Sequence, residues 1–141
     1  AGQQPLIVAC LPDADEEKAA QLQEKGVEVL RIPGVTTADI TEEQKEVISL
    51  PVLMKELGAR KIDGILLEGG GQLNESALQA GIVDRIYCYI APKIFGGAQA
   101  KTPVEGQGLT RAADAWQFNR IGMQEFGQDI LLEYEKAQEL Q

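Results

Sequence analysis

The stretch that most constrains this chain is Leu66-Leu67-Glu68-Gly69-Gly70-Gly71-Gln72-Leu73-Asn74-Glu75-Ser76. An apolar run stops on one carboxylate and three glycines, and a helical pattern follows. A strand that ends in a glycine-rich turn and feeds a helix makes an anion site. The first turn of the helix carries unpaired N–H groups and a partial positive charge. Glycines let a diphosphate approach the backbone and permit dihedrals closed to other residues. The location fits as well, because α/β sheets bind ligands at the carboxyl ends of their strands. The simpler alternative is that Gly69 to Gly71 only make a tight strand-to-helix turn.

Two familiar phosphate loops do not match. A Walker A loop needs Lys-Ser/Thr after its last glycine, and here Gln72-Leu73 follows. The dinucleotide fingerprint G-x-G-x-x-G wants glycine at its sixth position, which here is Asn74. The turn also follows the third expected strand rather than the first. Glu68 stands at the strand tip beside the turn. A carboxylate there could orient a ligand hydroxyl or amide, or handle a proton; a solvated or ion-paired carboxylate is the alternative.

The flanking pattern is that of an α/β chain. Leu6 to Cys10 reads as a central strand. Asp13 or Asp15 can cap the next helix, with Glu16 and Glu17 in its first turn, and Gly26 fits its left-handed C-terminal position. Val27, Val29 and Ile32 mark a second strand. Short links make this a parallel strand–helix–strand unit. Thr41-Glu42-Glu43-Gln44 matches a capping box and predicts a short helix. Pro51 opens a helix carrying Leu53, Met54 and Leu57 and ending near Gly58. Ile62 to Leu67, nearly all apolar, predicts a third strand covered on both faces. A helix with Leu73, Ala77 and Leu78 follows the glycines and closes at Gly81. Val83 to Ala91 is the fourth strand, with Ile86, Cys88 and Ile90 on one face and Arg85, Tyr87 and Tyr89 on the other. Residues 93 to 111 read as a long loop. Ala115 to Glu125 and Asp129 to Glu135 read as an antiparallel pair turning near Gly127.

Composition narrows the chemistry. The chain has 141 residues and a formal charge of −9, so bulk charge argues against nucleic acid and membrane surfaces as partners. It holds no histidine and two cysteines, Cys10 and Cys88, each inside an apolar run. That excludes a Cys/His zinc site and any Ser-His-Asp or Cys-His catalysis confined to this chain. Both cysteines read as small buried hydrophobes rather than a disulfide. No apolar run is long enough to cross a bilayer, and the expected compartment is the cytoplasm.

A set of longer motifs carries a resemblance. Asp63-Gly64-Ile65-Leu66-Leu67-Glu68-Gly69-Gly70-Gly71, then Leu73, then Ala80-Gly81-Ile82-Val83-Asp84, then Tyr89-Ile90-Ala91-Pro92-Lys93-Ile94-Phe95-Gly96-Gly97, and finally Gly127-Gln128-Asp129-Ile130-Leu131-Leu132 resemble the reductase domain of the bifunctional riboflavin-biosynthesis deaminase/reductase. The resemblance runs over most of the chain and is strongest from 62 to 97. It implies a dihydrofolate-reductase-like fold: a mixed sheet flanked by helices, with parallel βαβ units followed by a C-terminal antiparallel hairpin. It implies NADPH as cofactor and reduction of the ribosyl group of 5-amino-6-(5-phosphoribosylamino)uracil to ribityl. It further implies that Gly69, Gly70, Gly71, Gln72, Leu73, Asn74, Glu75 and Ser76 hold the NADPH pyrophosphate, and that Glu68 contacts the substrate near the hydride-transfer point.

The resemblance also marks what is not here. The family's reductase domain begins well before the stretch that matches PLIVAC. The upstream part carries the first strand, nicotinamide- and substrate-contacting residues and a catalytic Lys and Asp. Residues 1–141 are therefore expected to be a single domain, the C-terminal part of a reductase domain, without the deaminase domain and inactive alone. No catalytic residue is assigned within it and no metal is expected. Homo-oligomer formation through the last two strands would cover exposed sheet edges. Lys93 reads as a solvated loop residue, with phosphate binding the alternative. Two other functions remain: another reductase of this fold, acting on a pteridine or a diamino-pyrimidinone phosphate, or a non-catalytic nucleotide-binding or assembly module.

Overall fold

The computed structural model describes residues 5–38 and 44–137. The chain forms two compact units, one extending to Leu66 and the other beginning at Leu67.

The first unit opens with β1 (Ile7–Cys10), α1 (Glu16–Glu24) and β2 (Glu28–Arg31). The helix begins where the sequence predicts: Asp15 Oδ1 accepts a hydrogen bond from the Lys18 N–H at 2.8 Å, and Glu16 and Glu17 fill the first turn. It ends at Gly26, whose φ of +80° needs a residue without a side chain. The chain then returns, and β2 pairs parallel to β1 with Ile7 opposite Glu28 and Cys10 opposite Arg31. The core under this βαβ unit is Ala19, Val27, Leu30 and Ile32, the last 2% exposed. Arg31 secures the loop between β1 and α1. Its Nη1 donates to the carbonyls of Pro12 and Ala14 at 2.9 and 3.0 Å, and its Nη2 pairs with Glu16 at 2.8 Å.

A hairpin follows, not the short helix that the capping-box pattern predicts. β3 (Gly34–Ala38) pairs antiparallel with β4 (Gln44–Ile48), Gly34 facing Ile48 and Thr36 facing Glu46. Thr41 to Glu43 lie outside the described residues, but Gln44 onward is strand. The β-branched run Val35-Thr36-Thr37 and the Val47-Ile48 pair favour extended pairing, and they outweigh the polar capping signal. Helix α2 (Leu50–Ala59) then starts with Pro51 in its first turn, as expected. Arg60 closes it, bridging Glu56 and Glu28 at 3.0 and 3.1 Å, and these hydrogen bonds, that to Glu56 first, hold its guanidinium above its ordinary pKa.

The predicted third strand is not formed. Residues 62–70 run without helix or strand, and Leu66 is 73% exposed. A strand is stable only when a neighbour pairs with it. A run that is apolar on both faces needs neighbours that cover both, and among the described residues none pairs with this one.

The second unit holds α3 (Gly71–Gln79), β5 (Arg85–Ile90), a single 3₁₀ turn (Ala112–Asp114), β6 (Phe118–Phe126) and β7 (Asp129–Lys136). The helix closes at Gly81, φ +68°. β6 and β7 form the predicted hairpin through Gly127, φ +64°, although Ala115 to Gln117 lie before the first strand. β7 lies in the middle of the sheet, and β5 pairs antiparallel with it, Cys88 opposite Leu132. The alternation read in β5 holds over most of its length: Arg85, Tyr87 and Tyr89 are exposed, while Ile86 and Cys88 are half-buried. The Tyr89 and Phe126 ring centroids lie 6.1 Å apart, and Leu131, opposite Tyr89 on β7, is only 5% exposed.

The described residues thus mix helices with parallel and antiparallel strands. The strands make three separate ladders rather than one continuous sheet. Cys10 and Cys88 are free thiols, both half-buried. Among the described residues, no helix is long and apolar enough to cross a membrane.

Candidate functional site

The glycine turn of the second unit has its own internal logic, and its three glycines differ. None of them has a positive φ. Left-handed backbone is therefore not what selects them, and close approach accounts for two of the three. A Cβ on Gly69 would run into the Leu73 side chain, and a Cβ on Gly71 would run into Glu105. A Cβ on Gly70 would meet nothing within 4 Å. The protein's own packing accounts for the outer two glycines and leaves the middle one facing open space.

Gly70 is also the N-cap of α3, with φ −77° and ψ 170°. No side chain caps this helix, and no acidic residue lies in its first turn. The first-turn amides and the positive end of the helix dipole are thus left to solvent or to a ligand.

The residues predicted to surround an anion divide between two sides of the helix. Gly71, Asn74 and Glu75, spaced i, i+3 and i+4, share one side, and the loop at 101–108 is strapped across it. The Glu105 N–H donates to the Gly71 carbonyl at 3.1 Å, Asn74 Nδ2 donates to the Pro103 carbonyl at 2.8 Å, and the Gly108 N–H donates to Glu75 Oε1 at 3.0 Å. Glu75 is 8% exposed, and its carboxylate also accepts from Gln79 Nε2 at 3.0 Å. Gln72, Leu73 and Ser76 lie on the other side and are exposed. The Ser76 hydroxyl donates back to the Gln72 carbonyl at 3.0 Å, so it is engaged within the helix.

Glu68 is exposed and makes no ion pair among the described residues. Lys93 is exposed in the loop after β5, beside Ile94 and Phe95, which are 99% and 93% exposed. Glu105 places a carboxylate on the strapped side of the helix, and Lys101 at 3.6 Å offsets its charge. Arg111 grips Asp114 through two hydrogen bonds of 2.8 and 2.7 Å at the far end of the loop, and the Asp114 carboxylate raises the Arg111 pKa.

The strap is the part of the site that sequence reading misses. Gly106 and Gly108 are its visible trace, at φ +95° and +63°. Its partners on α3 are the Gly71 carbonyl, the Asn74 side-chain amide and the buried Glu75 carboxylate, and no motif spacing announces them.

Fold and site together define an α/β chain whose glycine turn presents an uncapped helix start, a form suited to an anionic ligand. The chain belongs to the RibD C-terminal domain family, whose family model matches residues 1–132. It is 40% identical over 128 residues to the riboflavin biosynthesis protein RibD of Actinobacillus pleuropneumoniae, a match covering 91% of this chain and 31% of that protein. It is 30% identical over 130 residues to the 2,5-diamino-6-ribosylamino-4(3H)-pyrimidinone 5′-phosphate reductase of Methanothermobacter thermautotrophicus, covering 92% of this chain and 55% of that one. Among solved structures, Acinetobacter baumannii RibD (form 2) superposes with a TM-score of 0.70 at 19% identity, covering 93% of this chain and 37% of that one. A pyrimidine reductase-like protein from Corynebacterium diphtheriae superposes with a TM-score of 0.63 at 23% identity, covering 94% and 50%. The chain thus spans about a third to a half of these four proteins.

Proposed function

We propose that the protein containing this chain is an NADPH-dependent reductase of riboflavin biosynthesis. It reduces the ribosyl group of 5-amino-6-(5-phosphoribosylamino)uracil, or of the closely related diamino-pyrimidinone phosphate named for the archaeal relative, to the open ribityl chain. Family membership supports the reaction class. The observation that carries the cofactor reading is Gly70: open space where a side chain would stand, at an uncapped helix N-terminus with no acid in its first turn.

The cofactor supplies the hydride, and the protein supplies orientation and charge. The exposed side of α3 would receive the pyrophosphate, with Gly70 allowing close approach and the first-turn amides of Gly71, Gln72 and Leu73 donating. On this reading Asn74 and Glu75 serve the site by fixing the loop, and Ser76 and Gln72 border it. Glu68, at the end of the apolar run and without an ion-pair partner among the described residues, would accept from a hydroxyl or N–H of the substrate.

The residues at 62–67 belong, on this proposal, to a mixed dihydrofolate-reductase-like sheet completed by chain upstream of residue 1, within a single reductase domain. Their exposed apolar side chains support that reading. The exposed Ile121, Met123 and Phe126 of edge strand β6 support homo-oligomer formation through the C-terminal strands. The proposed compartment is the cytoplasm.

The test is NADPH oxidation by the full-length protein with the phosphoribosylaminouracil, wild type against Glu68→Gln. Loss of one charge-assisted hydrogen bond to substrate should raise the substrate KM or lower kcat/KM by about tenfold or more, with NADPH affinity unchanged. No NADPH oxidation by the wild type with either pyrimidine phosphate would refute the reductase reading.

A further inference from the structure

Glu75 is a buried carboxylate on the strapped side of α3. It is 8% exposed and makes no ion pair among the described residues. Burying a carboxylate without a cation is costly unless donors satisfy it. Here the donors are Gln79 Nε2, one turn along the same helix, and the Gly108 N–H, 33 residues away in the strap.

The loop is shaped around this carboxylate. A Cβ on Gly106 would collide with Glu75, and both Gly106 and Gly108 take left-handed backbone that a side chain would strain. Two further bonds, Asn74 to Pro103 and Glu105 to Gly71, continue the strap to the helix start. The second of these ends on Gly71 itself, next to the open Gly70.

We infer that Glu75 is a positioning residue: it latches the 101–108 loop onto α3 and thereby fixes the backbone of the first helical turn that receives the cofactor's phosphates. The inference rests on the reading of that turn as the NADPH pyrophosphate site. The latch acts through the loop, not by touching the ligand. Its Oε1 already accepts from Gly108 and Gln79, and a negative charge facing a diphosphate would only weaken binding. A correctly placed acceptor, rather than a charge, is what the latch requires, so an amide should replace it.

The experiment uses the full-length protein and NADPH as the probe. Calorimetric titration gives the Kd, and amide hydrogen exchange follows Glu105 and Gly108. Glu75→Ala should raise the NADPH Kd about tenfold, the equivalent of one hydrogen bond, and should speed exchange at both loop amides. Glu75→Gln should restore protection and return the Kd to within about twofold of wild type. Gly106→Ala, which disturbs the latch from the loop side with the carboxylate intact, should reproduce Glu75→Ala if the latter proves too unstable to handle.

Three results would overturn the latch. One is faster loop exchange with an unchanged Kd. Another is a weakened Kd in Glu75→Ala with loop exchange unmoved. The third is failure of Glu75→Gln to rescue. The same titration on Gly70→Asp keeps the two ideas apart. If that variant binds NADPH normally, the site reading itself is wrong. If it loses binding while Glu75→Ala does not, the site stands and the latch falls.

Discussion

Helices α1 and α3 both start after non-helical chain, yet their first turns are built in opposite ways. At α1 the Asp15 carboxylate caps the helix, Glu16 and Glu17 follow at once, and Arg31 ties down the preceding carbonyls. The shallow depression at that helix start is lined by Asp15, Glu17, Lys18 and Gln21. At α3 there is no capping side chain and no early acid, and the N-cap is a glycine with open space in front of it. A helix N-terminus attracts anions by its dipole and free amides. At α1 the chain has already supplied its own anion. The dipole is common to both, so the residues placed at the N-cap decide whether a ligand can use it.

The largest expected effect comes from making α3 resemble α1. Gly70→Asp places a carboxylate at an N-cap whose backbone already suits one, and nothing lies within 4 Å of the new Cβ. Two unit charges about 4 Å apart at an effective dielectric near 20 repel by about 4 kcal/mol, so NADPH affinity should fall at least about hundredfold. The melting temperature should hold or rise slightly, since Asp exceeds Gly as a cap by only a few tenths of a kcal/mol. Calorimetry and thermal melts on the same sample check both halves. Lost binding together with a fallen Tm would mean that Gly70 is structural, and the contrast between the two helices would collapse.

A smaller effect separates Gly70 from its neighbour. Gly71→Ala drives a methyl into the body of the Glu105 side chain rather than its flexible tip. Overpacking of this kind costs about 1–3 kcal/mol, and the strap held by the Glu105 N–H should loosen. Gly70→Ala meets no such neighbour. Denaturant melts of the pair should therefore differ by about 1 kcal/mol or more; equal stabilities would show that Glu105 gives way freely and that the strap is slack.

How far this contrast could be read from sequence depends on the range of the interactions. Asp15, Gly26, Pro51, Gly81 and Gly127 act within a few residues of themselves, and each does in the structure what its type implies. The parallel β1–β2 pair follows from equally local constraints, a short link on either side of one helix. The family motifs from 62 to 97 identified the family, and the glycine turn stood out as a candidate before any geometry. Ile62 to Leu67 forms no strand because a strand is a property of pairs: the run carries the right residues, but no described neighbour supplies the ladder. Thr41-Glu42-Glu43-Gln44 obscures the pairing of β3 with β4 in the sequence, because its local capping pattern competes with the β-branched residues of the two strands. The strap was illegible for a third reason. Its bonds join Gly71, Asn74 and Glu75 to main-chain atoms of residues about 30 positions away, and beyond Gly106 and Gly108 those atoms leave no trace in residue type.

The smallest expected effect is the converse of the first. Asp15→Gly gives α1 a glycine N-cap like that of α3. The bond to the Lys18 amide is lost, and because Gly is itself a tolerable cap the cost should be only a few tenths of a kcal/mol. If a bare helix start were enough, the variant should gain affinity for inorganic phosphate or NADPH at α1. It should gain none, because Glu16 and Glu17 still occupy the first turn and Arg31 still spends its guanidinium on Glu16 and the loop carbonyls. Phosphate titration followed by amide chemical shifts of residues 15–19 reads this directly. Shifts that saturate with phosphate would show that the dipole alone recruits the anion, and that the acid-free first turn of α3 is incidental rather than the feature that distinguishes it.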